Sequence, residues 1–121
     1  MPEGFRDLNV YKLAYKLAME IFHLSKAFPR EEIYGLTSQL RRAAVSVASN
    51  IAEGRGRTSD KELCHFLDHA RGSLYEVQTQ LRIAEQLGFL STAQSQNLYA
   101  NAAKAGRLLN GLIRKIRSNA A

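Results

Sequence analysis

Between Leu63 and Ala84 an apolar residue returns at alternating steps of four and three: Leu63, Leu67, Ala70, Leu74, Val77, Leu81 and Ala84. That spacing keeps one narrow face of a helix apolar for about six turns, and it is what shallow, left-handed antiparallel packing needs. Ser59 and Glu62 stand at capping-box spacing before the run, so each can satisfy a free backbone N–H of the first turn. Gly88 is a plausible end. The pattern then repeats. Ser91 and Gln94 have the same spacing, and Leu98, Ala102, Ala105, Leu109, Leu112 and Ile116 form the expected seam of a further helix.

Upstream, the periodicity predicts a first helix from about Arg6 to about Ala27, with Tyr11, Tyr15, Ala18, Phe22 and Ser25 on its core side. Phe28-Pro29 ends it, because proline disfavours helix at the residue before it. PREEIYG reads as a connector with room for one turn of its own. A second helix is predicted from about Leu36 to about Glu53, with Leu40, Ala44, Val47 and Ile51 inward and Gly54 or Gly56 as a left-handed C-cap. No run of period two bounded by turns occurs. Four helices with short connections predict an all-α, up-down-up-down antiparallel four-helix bundle, one domain over residues 1–121.

Two of these helices carry more apolar surface than a bundle core uses. Val10, Leu13, Leu17 and Leu24 make a second stripe beside the first, and Val45 and Ala52 point away from the second helix's core row. Such residues are either ordinary surface or an interface between copies of the chain.

The formal charge is +6, which favours acidic partners such as nucleic acid or an anionic membrane. Cys64 is the single cysteine, so no internal disulfide forms and a reducing compartment suits the chain. MPEGFRDLNV has no apolar leader core and no run reaches membrane-spanning length. A cytoplasmic protein without membrane contact is expected.

Several motifs resemble catalytic sites and fail on geometry. Glu20-Ile-Phe-His23 and Glu62-Leu-Cys-His65 share the Glu-x-x-His order of di-iron bundles. Glu62 and His65, however, lie opposite the third helix's seam, and the fourth helix has no acidic residue to complete a site. His65-Phe-Leu-Asp68-His69 places two histidines at i, i+4 without a third ligand, which reads as a solvated face. GRGR follows a helix and lacks the Lys-Ser or Lys-Thr of a phosphate loop. Ser46, Asn50 and Glu53 share one helix side but contain no base. With Ser73 and Glu76 of the third helix as partners, or for Asn50 a neighbouring subunit, they are expected to form a structural polar network that fixes register. No cofactor, metal or small-molecule substrate is expected.

After Glu85 the chain contains no acidic residue, yet it carries Lys104, Arg107, Arg114, Lys115 and Arg117, all opposite the fourth seam. Arg41, Arg42, Arg55 and Arg57 add a second basic cluster. Either group can attract phosphates without reading sequence, or be solvated surface. No base-reading motif is present.

The stretches FRDLNVYKLAYKLA, FPREEIYGLTSQLRRAAVSVASNIAEGRGR and ELCHFLDHARGSLYEVQTQL closely resemble the 23S rRNA intervening-sequence protein family, also called four-helix bundle proteins, from about Phe5 to Leu112. Ser46, Asn50, Ile51, Glu53, Gly54, Ser73 and Glu76 fall on the family pattern. The resemblance implies a ring of bundles, typically a pentamer, and no enzymatic activity. More distantly the chain resembles the accessory variability protein of diversity-generating retroelements, which binds reverse transcriptase and nucleic acid. The expected function is thus a non-enzymatic homo-oligomer contacting RNA or DNA phosphates through Arg41, Arg42, Arg55, Arg57, Lys104, Arg107, Arg114 and Lys115. A structural or protein-adaptor ring is the alternative.

Overall fold

The structure is a computed structural model and describes residues 9–120. Its helices are α1 (Asn9–Ser25), α2 (Leu36–Arg55), α3 (Asp60–Gln86) and α4 (Thr92–Ala120), with a 3₁₀ turn at Arg30–Glu32 inside the first connector. No strand occurs among the described residues. Helices adjacent in sequence pack together, and α1 closes the square against α4. Side-chain ties show that each wall is antiparallel. Arg41 of α2 reaches Ser25 and Phe22 near the end of α1. Ser46 of α2 meets Ser73 of α3, Arg71 of α3 meets Asn110 of α4, and Glu20 of α1 meets Asn97 and Asn101 of α4.

The α3 seam is buried at every predicted position, and six of its residues are wholly inaccessible to solvent. Its start is a partial capping box. Glu62 N–H donates to Ser59 Oγ at 3.1 Å, but the Glu62 carboxylate accepts from the Ser59 hydroxyl at 3.5 Å instead of a backbone N–H. At its end Gly88 takes φ +81, and the N–H groups of Gly88 and Phe89 donate to the carbonyls of Glu85 and Ala84. Those crossed bonds are the Schellman closure, which needs a left-handed residue that glycine adopts without steric cost. The box opening α4 is reciprocal: Ser91 N–H donates to Gln94 Oε1 at 2.9 Å and Gln94 N–H to Ser91 Oγ at 3.1 Å.

Three expectations change. In α1 the buried row is Val10, Ala14, Leu17, Ala18, Ile21 and Ser25, while Tyr15 and Phe22 are exposed and Tyr11 is half-buried. Both rows have helical spacing. The one that goes inside offers small Ala14 and Ala18 between branched side chains, and the other keeps two phenol hydroxyls in water. The helix ends at Ser25, and its predicted start at Arg6 lies outside the described residues. In α4, Ile113 replaces Leu112 as the buried rung between Leu109 and Ile116, because steps of four-three and three-four fit one helix equally. In α2 neither glycine is left-handed: Gly56 caps the helix at φ −84 and Gly54 lies inside it.

Gly54 is a close-approach residue. A Cβ there would stand 2.9 Å from Leu63 Cδ1 and 3.3 Å from Phe66 Cβ, so its absence lets α3 turn back tightly onto α2. Gly72, also helical, has nothing within 4 Å of such a Cβ. Replacing an exposed helical glycine by alanine gains about 0.5–1 kcal/mol. Gly72→Ala is therefore expected to raise unfolding free energy by about that amount. Gly54→Ala loses the gain to crowding and lowers stability by roughly 1–2 kcal/mol. Urea denaturation of the two variants measures the contrast, and an equal rise in both would refute the packing role of Gly54.

Candidate nucleic-acid interface

The polar seam between α2 and α3 is built from Ser46, Asn50 and Ser73. Ser46 Oγ and Ser73 Oγ are 2.7 Å apart across the wall. Asn50 Nδ2 donates to Ser46 Oγ at 3.0 Å and to the Ser46 carbonyl at 2.8 Å, one turn back on its own helix. Asn50 thus orients Ser46, and Ser46 makes the crossing, where Asn50 itself was expected to reach Ser73, Glu76 or a neighbouring subunit. Glu53 is not joined to the seam: it accepts from Arg57 at 2.9 Å. Glu76 lies exposed on the rim of a shallow groove lined also by Arg42, Ser46, Ser73 and Gln80. A hydroxyl pair held by an amide is a satisfied link, and its partners include no proton acceptor of the kind that activates a serine.

The cations of the second basic cluster are mostly engaged within the chain. Arg41 Nε donates to Ser25 Oγ at 2.8 Å, and its guanidinium lies 5.0 Å from the centre of the Phe22 ring. Arg55 lies over Tyr11 at 4.8 Å, and Arg57 over Phe66 at 4.5 Å besides its bond to Glu53. Stacked arginines of this kind tie helices together. Arg42 is exposed on α2.

On α4, Lys104, Arg107, Arg114, Lys115 and Arg117 all face solvent. Arg117 donates to Asp68 of α3 at 2.6 Å, and Asp68 also accepts from Arg71 at 3.0 Å. Lys104, Arg107, Arg114 and Lys115 form no ion pair among the described residues. Because α2 and α4 occupy diagonal corners of the bundle, Arg42 does not join this stripe.

Sequence reasoning missed what borders the stripe. Between α3 and α4 lies a cleft of about 430 Å³ lined by Tyr75, Gln78, Thr79, Arg82, Tyr99 and Ala103. Tyr99 donates its phenol proton to Glu85 at 2.6 Å, and Arg82 stacks 5.1 Å from its ring centre. Burial, then the bond to Glu85, pushes the Tyr99 phenol above its ordinary value, so it remains a donor at neutral pH. The signal was a helix row, Tyr99-Ala103-Arg107, that reading the basic residues alone passed over.

The histidine motif is a surface feature. His65 and His69 are exposed with ring centres 4.6 Å apart, and no group of three His, Cys, Asp or Glu able to hold a metal exists among the described residues. Cys64 is buried, and that burial pushes its thiol upward. Glu20 faces Asn97 and Asn101, accepting from both.

A family model for the 23S rRNA-intervening sequence protein matches residues 6–111. The chain belongs to that family. Among solved structures it is similar to a crystal structure of a protein of unknown function from the S23 ribosomal protein family of Bacteroides thetaiotaomicron, with a TM-score of 0.80. That similarity covers 87% of this chain and 95% of the other at 20% identity, and it supports the fold alone. No curated protein matches the sequence significantly. In this family member the best-defined polar site is the serine pair. A double-mutant cycle of Ser46→Ala and Ser73→Ala is expected to show a coupling of about 0.5–1.5 kcal/mol in chemical denaturation. Additive losses would mean that the 2.7 Å contact contributes nothing to the wall.

Proposed function

We propose that the protein is a non-enzymatic homo-oligomer that binds RNA or DNA through phosphate contacts from α4, with Lys104, Arg107, Arg114 and Lys115 as the contacting groups. The observation that carries this reading is a row of exposed cations without ion-pair partners on a helix that has no acidic residue. Such a row releases counterions from a polyanion and fixes its path without selecting its sequence. Arg41, Arg55 and Arg57, bound to their own aromatic rings and polar groups, contribute less, and Arg42 acts from a separate corner.

Assembly as a ring, with five copies the expected number, rests on the outer face of α1 and α2. Tyr15, Met19 and Phe22 of α1 and Val45 of α2 are exposed large apolar residues there. Repeating the α4 stripe around a ring would raise the local field toward a polyanion. A cytoplasmic setting fits the unpaired Cys64, and no described helix is long and apolar enough to cross a membrane. The names of the family and of the solved relative both refer to the ribosome or its RNA, so structured RNA is the first probe.

Four phosphate contacts give a slope of about −3.6 in log affinity against log salt, on the order of 100-fold between about 50 and about 200 mM. Titration of labelled structured RNA and duplex DNA is expected to show that slope, and Arg107→Glu/Arg114→Glu is expected to abolish binding. Salt-independent binding, or full binding by the variant, would remove the α4 stripe as the phosphate contact, and no binding even at low salt would leave a protein-adaptor ring as the better reading. For assembly, Tyr15→Asp/Phe22→Asp is expected to lower the mass in solution by light scattering while keeping helical circular dichroism. An unchanged mass removes this face as the interface.

A further inference from the structure

We infer that the α3–α4 cleft holds an unpaired nucleobase, so that the protein prefers single-stranded segments whose phosphates run along α4. This deepens the phosphate-contact reading and rests on it.

One wall of the cleft is already built. The Tyr99 ring is fixed at its tip by the 2.6 Å bond to Glu85 and at its face by the Arg82 guanidinium. Opposite, Tyr75 is 55% exposed and enters no ring pair among the described residues. An exposed phenol ring costs solvation in isolation, but beside a second ring and a guanidinium it forms a surface on which a base can stack. The volume, about 430 Å³, lies in the range of small-ligand clefts. Ala103 keeps the floor shallow, and Gln78 and Thr79 offer amide and hydroxyl groups to a base edge.

Position on α4 connects this cleft to the cations. Tyr99, Ala103 and Arg107 are successive members of one i, i+4 row, and Arg114 falls on the same side two turns beyond Arg107. A strand whose base sits between Tyr75 and Tyr99 would therefore lay its backbone along Arg107 and Arg114. Glu85, beside the Tyr99 ring, accepts the bond from its hydroxyl. Bases inside a duplex are stacked on each other and present no face to such a cleft, whereas loops and single strands do.

The test is fluorescence anisotropy at low salt with an unstructured labelled RNA of about a dozen nucleotides, the DNA of equal sequence, and the matching duplexes. Tyr75→Ala is expected to weaken binding of the single strands by roughly 5- to 100-fold and to leave duplex affinity unchanged, while Tyr75→Phe keeps wild-type affinity. Equal loss for single strands and duplexes would overturn the proposal. Full single-strand affinity in Tyr75→Ala, with loss in Arg107→Glu/Arg114→Glu, would overturn the base cleft and leave the phosphate contacts standing. Failure of wild-type protein to bind any probe would overturn both. A fall in solution mass of Tyr75→Ala would assign Tyr75 to a contact between copies and also overturn the base cleft.

Discussion

The whole molecule depends on the burial of one side of α3. Its seam from Leu63 to Ala84 lies against α2 along one flank and α4 along the other, with almost no solvent along six turns. Truncating a leucine in such a row costs about 2–5 kcal/mol, a large share of the stability of a small domain. The caps at its two ends, Ser59 and Gly88, serve the same row by fixing where it begins and stops. Gly54 brings α2 within reach of its first turn, and the Ser46–Ser73 bond adds direction to a wall otherwise held by apolar contact.

Arginine has two roles in this bundle, and position decides between them. Where a guanidinium lies near a helix wall it is drawn onto an aromatic ring: Arg41 on Phe22, Arg55 on Tyr11, Arg57 on Phe66 and Arg82 on Tyr99. Those stacks cover ring faces that would otherwise meet water and link neighbouring helices. On the outside of α4, where no carboxylate shares the helix, Lys104, Arg107, Arg114 and Lys115 stand as a row without ion pairs among the described residues. The net charge of +6 is thus not spread evenly in effect.

The legibility of this fold in its sequence follows the same division. The α3 row, the α2 row and both Ser-x-x-Glu/Gln starts are local patterns with one solution, and they were readable. In α1 two apolar rows with helical spacing lie side by side, and which of them goes inside depends on the shape of α2 and α4, which spacing does not encode. Leu112 against Ile113 is the same ambiguity on a smaller scale. The polar seam was readable in its membership at Ser46, Asn50 and Ser73, but not in its wiring. Glu53 turns toward Arg57 and Glu76 toward solvent because stronger or wetter partners lie closer. Charge counting found the α4 stripe, yet it could not separate stacked arginines from available ones, nor show Tyr75 and Tyr99 lining one cleft from different helices.

The closing wall between α1 and α4 differs from the other three in its chain topology. Ser46 and Ser73 are separated by 27 residues, whereas Glu20 and Asn97 are separated by 77. By loop-closure entropy the longer link costs roughly 1 kcal/mol more to bring together, and α1–α4 is also the smallest of the four interfaces. The α1–α4 wall is therefore the costliest of the four to close, while α1 stays joined to α2 by the short link between Ser25 and Arg41, 16 residues apart. Since α1 carries Tyr15, Met19 and Phe22 on its outer side, anything that covers those residues from outside also holds the fourth wall shut.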